Sequence, residues 1–248
     1  MGYLYFFLEY VLVSIMYGLT RHDNIVKLAG FCKEPELVIL TKRYEGDLKR
    51  LIHSKETVAE LPLWSLVRDI VCGLEAIHEL KIVHRDIKSS NILVERIGKK
   101  GEDRSWRAVI ADFGLSYVFA AEDVLKREKI FTFGFSYPFA SPEIFRQKYL
   151  GARIDQSETS ETLYQKIDVY AFGCVVWEML ERASIWKGTV PDQIEKNVLE
   201  GQRPPFSPQF EKHSARSIIE LSWAQNAGDR PSFPDLHEMV ANIMEKTP

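Results

Sequence analysis

Charge of one sign is what this sequence has little of. Its 32 Lys and Arg face 35 Asp and Glu, for a formal net charge of −3. A nucleic-acid partner needs a basic surface, so the composition argues against one. Cysteine is scarce too: Cys32, Cys72 and Cys174 are odd in number and far apart. No pair has metal-ligand spacing, so a reduced protein of the cytoplasm is expected. No apolar run reaches the roughly 20 residues that a membrane span requires. The most apolar stretch, Tyr3 to Tyr17, is interrupted by Glu9 and Ser14. It has neither the basic start nor the cleavage site of a secretory signal. Phe6 stands where a myristoylation signal wants Ser or Thr. The stretch reads as a buried helix or strand; membrane contact through residues 3–17 is the alternative. Internal repeats and low-complexity tracts are missing. Before His22 there are only two glycines, Gly2 and Gly18, and no lysine.

What is present suits a globular protein. Hydrophobic residues make up 46% and charged residues 27% of 248 positions, enough for one large domain or two small ones. Ile25-Val26-Lys27-Leu28 and Leu37-Val38-Ile39-Leu40-Thr41 are β-rich runs around the turn-prone Lys33-Glu34-Pro35-Glu36. Glu45-Gly46-Asp47 breaks the pattern, and helical periods dominate from Leu48. Leu66, Ile70, Leu74 and Ile77 recur at three or four residues, widened by Val67 and Val71, which predicts a helix buried on one face. Asn91–Val94 and Ala108–Ala111 read as short strands flanking a polar, solvated insert, Glu95 to Arg107. Val169–Leu180 is apolar on nearly all sides and predicts a central helix. Ile154–Leu163 reads as loop. Trp177, Trp186 and Trp223 read as core residues.

The chemistry is concentrated in His84-Arg85-Asp86-Ile87-Lys88-Ser89-Ser90-Asn91-Ile92-Leu93 and in Asp112-Phe113-Gly114. Phosphoryl transfer to a hydroxyl needs alignment, charge neutralisation and an acceptor for the proton. Asp86 is the candidate proton acceptor. Lys88 would put an ammonium beside the transferred phosphate. Asn91 supplies a neutral oxygen and Asp112 a charged one, the donors that Mg²⁺ prefers. No one of these residues is diagnostic. H-R-D-x-K-x-x-N, then a strand, then D-F-G is a specific combination.

From Arg21 to Val240 the sequence resembles the eukaryotic protein kinases. His22-Asp23-Asn24-Ile25-Val26-Lys27-Leu28, Ser141-Pro142-Glu143, Asp168-Val169-Tyr170-Ala171-Phe172-Gly173 and Asp229-Arg230-Pro231-Ser232-Phe233 are similar to family segments. The resemblance implies an α+β, kinase-like fold with ATP and Mg²⁺ as cofactors and a protein substrate. Thr41 falls at the gatekeeper position and Lys42 to Tyr44 at the adenine-pairing hinge. Asp47 lies near the ribose position, and Leu93 joins the nucleotide site. Asp168 would hold the catalytic loop, and Glu143 would pair with Arg230. His84 and Phe113 would be packing residues, stacked with Leu28 and Met16. The Ile87-Lys88-Ser89-Ser90-Asn91 variant is similar to serine/threonine kinases of the tyrosine-kinase-like group. There Ser136 would contact Asp86 and Lys88. Arg85 would pair with a phosphate on the segment Asp112 to Glu143, with Thr132 the candidate phosphosite.

The resemblance departs at the start. The glycine-rich hairpin and the strand lysine that grip ATP phosphates are not in this sequence, so a small β lobe lacking its first three strands is expected. Residues 1–44 would be that remnant, and residues 45–246 a largely intact, mainly helical large lobe. Phe135 replaces a usual glycine before Ser136, and Ser141 the alanine of A-P-E. Three functions are open: a serine/threonine kinase, inactive as given for want of those strands, a pseudokinase-like binding module, or a membrane-tethered fragment using Tyr3 to Tyr17.

Overall fold

The computed structural model describes residues 12–34, 36, 38–54, 62–98, 105–118, 134–150 and 161–246. Residues 12–19 form helix α1. It turns Val13, Ile15, Met16 and Leu19 inward and leaves Tyr17 exposed. The described end of the apolar stretch is thus a helix with one buried face, and residues 3–11 lie outside the described residues. Among the described residues no helix is long and apolar enough to cross a membrane.

Strand β1 (Leu28–Cys32) pairs antiparallel with β2 (Val38–Thr41). The first strand therefore begins where the β-rich run Ile25–Leu28 ends. Ile25 is drawn elsewhere, into an isolated parallel bridge with Ile110. The Val26 N–H donates to the Ile110 carbonyl at 2.9 Å, and the Asn24 carbonyl accepts from the Ile110 N–H at 2.8 Å. Asn24 Nδ2 also donates to the Ala108 carbonyl at 3.0 Å, while Asp69 Oδ2 accepts the Ala108 N–H at 3.0 Å. These bonds pull the segment down into the core, where Ile25 is fully buried.

The short strand β3 (Gly46–Asp47) leads into helix α2 (Leu48–His53), whose N-cap is Asp47, accepting the Arg50 N–H at 2.8 Å. Helix α3 (Leu63–Glu79) carries the predicted stripe: Leu66, Val67, Ile70, Val71, Leu74 and Ile77 are all fully buried. The stripe packs on a sheet ordered β3-β5-β6. Gly73 makes the approach possible. A Cβ there would sit 2.8 Å from the Asn24 carbonyl oxygen and 2.9 Å from Ile110 Cγ1. Strand β4 (Ile82–Val83) follows α3.

Strands β5 (Ile92–Ile97) and β6 (Ser105–Ile110) form an antiparallel ladder, Ile92 opposite Ile110 and Ile97 opposite Ser105. Each is longer than its apolar core implied, because cross-strand contacts stabilise the polar flanks. The Arg96 guanidinium lies over the Trp106 ring at 4.7 Å, and Glu95 faces Arg107. Strand β7 (Tyr117–Val118) pairs with β4. Helices α4 (Pro142–Leu150), α5 (Glu161–Glu181), α6 (Pro191–Leu199), α7 (Ala215–Ser222) and α8 (Phe233–Lys246) follow.

Every residue of α5 from Ile167 to Leu180 is buried, so it is the central helix. It begins at Glu161, within the stretch read as loop; residues 154–160 lie outside the described residues. Helix α7 can press on it because a Cβ at Gly173 would meet Ser222 Cβ at 2.8 Å. Trp177 and Trp223 are buried, and Trp186 packs partly buried against the same core.

One ion pair ties three of these elements together. Arg230 Nη1 and Nη2 donate to Glu143 Oε1 and Oε2 at 2.6 and 2.9 Å. Its Nε donates to the Ala224 carbonyl at 3.0 Å and Nη1 to the Lys166 carbonyl at 2.9 Å. The guanidinium is fully buried and lies 5.1 Å from the Tyr170 ring. Four of its five N–H donors are bonded, to α4, to α5 and to the segment that follows α7. Arg230→Ala should leave Glu143 without its counter-charge and cost about 3–5 kcal/mol, read as a drop in the urea midpoint.

Candidate active site

A buried carboxylate organises the loop between β4 and β5. Asp168 sits on α5, wholly removed from solvent. Its Oδ2 accepts the His84 N–H at 2.7 Å and its Oδ1 the Arg85 N–H at 2.8 Å. His78 Nε2, from α3, lies 2.9 Å from Oδ2. The Arg85 amide is presented this way because Arg85 has φ of 70°, a left-handed conformation costly for a side chain with a Cβ. Burial works against the Arg85 charge, and Asp168 offsets part of that.

His84 is held from both ring nitrogens. The Asp86 N–H donates to Nδ1 at 3.4 Å, which leaves the proton on Nε2, 3.0 Å from the Ala111 carbonyl. The ring is tilted against Phe113 at 5.1 Å. Burial drives its pKa below 6.5, in keeping with a neutral ring that packs rather than titrates. Phe113 and Met16 are buried in one apolar cluster, with Leu28 packed on its edge.

Beyond His84 the loop gathers a compact polar cluster. Asp86 Oδ2 accepts from Lys88 Nζ at 2.6 Å and from Asn91 Nδ2 at 2.9 Å. Asp86 Oδ1 accepts the Ser136 hydroxyl at 2.8 Å, and Lys88 Nζ donates to Ser136 Oγ at 3.1 Å. Asn91 Nδ2 also donates to the Asp86 carbonyl at 2.9 Å. The amide nitrogen is thereby committed, and the carbonyl oxygen Oδ1 remains to act as a ligand. Ser136 is brought in by an aromatic knot. Phe135 packs edge-on against Phe145 of α4 at 5.7 Å and lies 4.9 Å from Tyr137. The bulky residue in the glycine position thus fills a space beside Phe145.

Asp112 has φ of 65° and accepts the Gly114 N–H at 3.4 Å, with its carboxylate exposed. At the hinge, Thr41 ends β2 exposed. The Lys42 N–H donates to the Lys27 carbonyl at 3.0 Å. The Lys42 side chain bonds Glu95 and lies 5.2 Å from the Tyr44 ring. Tyr44 OH accepts the Lys27 N–H at 3.1 Å, and burial raises its pKa. Leu93 pairs with Asp47 across β3 and β5. Thr132 lies outside the described residues.

Two contributors were not singled out from sequence. His78 follows Leu74 by four residues, so it continues the apolar face of α3 as a polar residue. Glu178 interrupts the apolar run of α5. It is buried; Oε2 accepts the Ser89 hydroxyl at 2.5 Å and Oε1 the Ile185 N–H at 2.9 Å. A lone polar side chain on a buried face is the signal in both cases.

The family profile described as protein tyrosine and serine/threonine kinase matches residues 7–240. The chain therefore belongs to this kinase family, and its fold is the kinase-like α+β arrangement with a helical large lobe. It is 27% identical over 229 residues to serine/threonine-protein kinase STY46 of Arabidopsis thaliana, covering 91% of this chain and 35% of that protein. It is 32% identical over 232 residues to the dual specificity protein kinase shkC of Dictyostelium discoideum, covering 90% and 41%. With the dual specificity protein kinase shkD of the same organism the identity is 27% over 226 residues, covering 87% and 26%. The chain spans less than half the length of each of these relatives.

Two outcomes follow from this geometry. Asp168→Asn offers one acceptor and one unwanted donor to two amides. Urea titration should show a loss of about 1–3 kcal/mol, with faster amide exchange at His84 and Arg85. Burial holds the His84 pKa in the folded chain below the roughly 6.5 of the unfolded one. Its contribution to stability should therefore fall as pH drops below that value, by up to about 1.4 kcal/mol per pH unit. In His84→Gln the difference in urea midpoint between about pH 7.5 and 5.5 should shrink.

Proposed function

We propose that this chain is a protein serine/threonine kinase domain, moving the γ-phosphoryl group of ATP onto a hydroxyl of a protein substrate. The observation that carries this reading is the cluster of Asp86, Lys88, Asn91 and Ser136 in mutual hydrogen-bond contact. In the reaction the acceptor oxygen bonds to the γ-phosphorus, the bond to the ADP oxygen breaks, and the hydroxyl proton passes to Asp86. A carboxylate offers about four lone-pair positions. Lys88, Asn91 and Ser136 occupy three, which leaves one aimed by the others for the incoming hydroxyl. Lys88 Nζ, already between Asp86 and Ser136, neutralises charge on the transferred group.

Asn91 Oδ1 and the exposed Asp112 carboxylate are hard oxygen donors and suit Mg²⁺. Magnesium, when bound, would neutralise phosphate charge. Thr41, the backbone of Lys42 to Tyr44, Asp47 and Leu93 would hold the nucleoside end. The Lys42 side chain is engaged with Glu95 and Tyr44, so its part there is through the backbone. Asp47 Oδ1 caps α2, so ribose contact falls to its other oxygen. Arg85 would receive a phosphate carried by Thr132. Residues 1–44 would serve as the small-lobe portion and 45–246 as the large lobe, in a protein of the cytoplasm acting on other proteins. The serine/threonine assignment rests on Lys88 with Ser136.

A pseudokinase-like binding module is the second reading, for within these 248 residues there is no G-x-G-x-x-G run and no lysine ahead of Lys27. The 248-residue chain should transfer labelled phosphate from Mg-ATP to a serine- and threonine-containing peptide library, and Asp86→Asn should abolish transfer while the chain still unfolds cooperatively. The weak phosphate grip should keep the stabilisation by millimolar Mg-ATP below the roughly 2.7 kcal/mol that a ligand at a hundredfold its Kd delivers. Absence of both transfer and stabilisation would replace the kinase reading with the binding module.

A further inference from the structure

Helix α5 grips the loop at two places. Asp168 takes the backbone of His84 and Arg85, at the entry to the Asp86 cluster. Glu178 takes the Ser89 hydroxyl at 2.5 Å, inside the single turn that runs from Lys88 to Asn91. The two carboxylates are ten residues apart, a rise of about 15 Å along one helix. Ser89 is buried, and so is Glu178. Burial raises the Glu178 pKa, while the Ser89 hydroxyl and the Ile185 amide favour the charged form. Lys49 on α2 is the cation that acts on it.

The location of Ser89 gives this bond its consequence. Ser89 lies between the residue that bridges Asp86 and Ser136 and the residue whose amide nitrogen bonds Asp86. The Asn91 N–H donates to the Lys88 carbonyl at 2.9 Å, and the Ala111 N–H to the Asn91 carbonyl at 2.9 Å. Lys88, Ser89, Asn91 and the strand entering Asp112 thus form one bonded chain. In the described structure, the Ser89 hydroxyl fastens the middle of that chain to α5. The other oxygen of Glu178 bonds Ile185 in the connection between α5 and α6.

We propose that Glu178 is a positioning residue. Through Ser89 it sets the turn that aims Lys88 and Asn91 at Asp86, while itself remaining buried and out of contact with the reactants. The consequence for turnover rests on the kinase reading above; the positioning of the turn does not.

The molecule carries a matched control. On the same helix, Glu181 Oε2 accepts the Ser207 hydroxyl at 2.5 Å, and Oε1 accepts the Ser207 N–H at 2.8 Å. This Ser-to-Glu bond lies outside the loop. Ser89→Ala and Ser207→Ala each delete one such hydroxyl. Each variant of the full chain is assayed by amide hydrogen exchange and by peptide phosphorylation under Mg-ATP. In Ser89→Ala, exchange at Asn91 and Ala111 should accelerate at least tenfold. Its kcat should fall about tenfold, with the KM for Mg-ATP held within about twofold. Ser207→Ala should change neither. Ser89→Thr, which restores a hydroxyl, should recover both readouts. Equal exchange at Asn91 and Ala111 in the parent, Ser89→Ala and Ser207→Ala would overturn the proposal. Should the parent transfer no phosphate, the kinase reading fails by itself, and the exchange comparison still decides the role of Glu178.

Discussion

The site depends on a charge placed where charge is most expensive. Asp168 occupies the middle of a helix whose neighbouring residues are buried, and an unpaired carboxylate there would be intolerable. Two backbone amides and an imidazole supply its hydrogen bonds. The same bonds satisfy the amides of His84 and Arg85, which no strand ladder serves. Each partner therefore solves the other's burial problem, and the left-handed turn at Arg85 is stabilised as part of that solution. The direction in which Asp86 leaves the loop follows from it.

The polar cluster around Asp86 is built on this foundation in layers. His84 is wedged between Asp86 and Ala111, so its ring reports the spacing between the loop and the strand that ends at Ala111. Asn91 spends its amide nitrogen on Asp86, which orients its oxygen. Ser136 arrives from far along the chain, positioned by aromatic packing of Phe135 and Tyr137 on Phe145. Arg230 and Glu143 fasten the start of α4, and with it Phe145, to the core. An ion pair distant from that cluster thus bears on where the Ser136 hydroxyl sits.

Much of this was legible in the linear pattern. The spacing of Leu66, Ile70, Leu74 and Ile77 marked the buried face of α3, since a helix repeats every 3.6 residues whatever it packs against. The run Val169–Leu180 marked a helix buried all round. The loop from His84 to Leu93 was identifiable because the proposed chemistry requires particular side chains at short fixed intervals. Less legible were elements whose conformation is decided by distant partners. Ile25 has strand propensity, yet it is bound beneath α3 by Ile110 and excluded from β1. The polar flanks of β5 and β6 read as loop, but Arg96 on Trp106 and Glu95 beside Arg107 extend the ladder. His78 and Glu178 were visible only as polar residues on apolar faces, with nothing local to say what they meet.

The sequence by itself determined the family, the loop that carries the Asp86 cluster and the two helices α3 and α5 of the core. Those properties reside in local spacing, which survives without knowledge of the fold. Only the tertiary structure decided which carboxylates hold that loop. Asp168 meets residues more than 80 positions away, Glu178 meets Ser89 across 89, and Ser136 meets Asp86 across 50. A hydrogen bond acts over about 3 Å, and no rule of sequence spacing brings such partners together; the packing of α5 against the loop does.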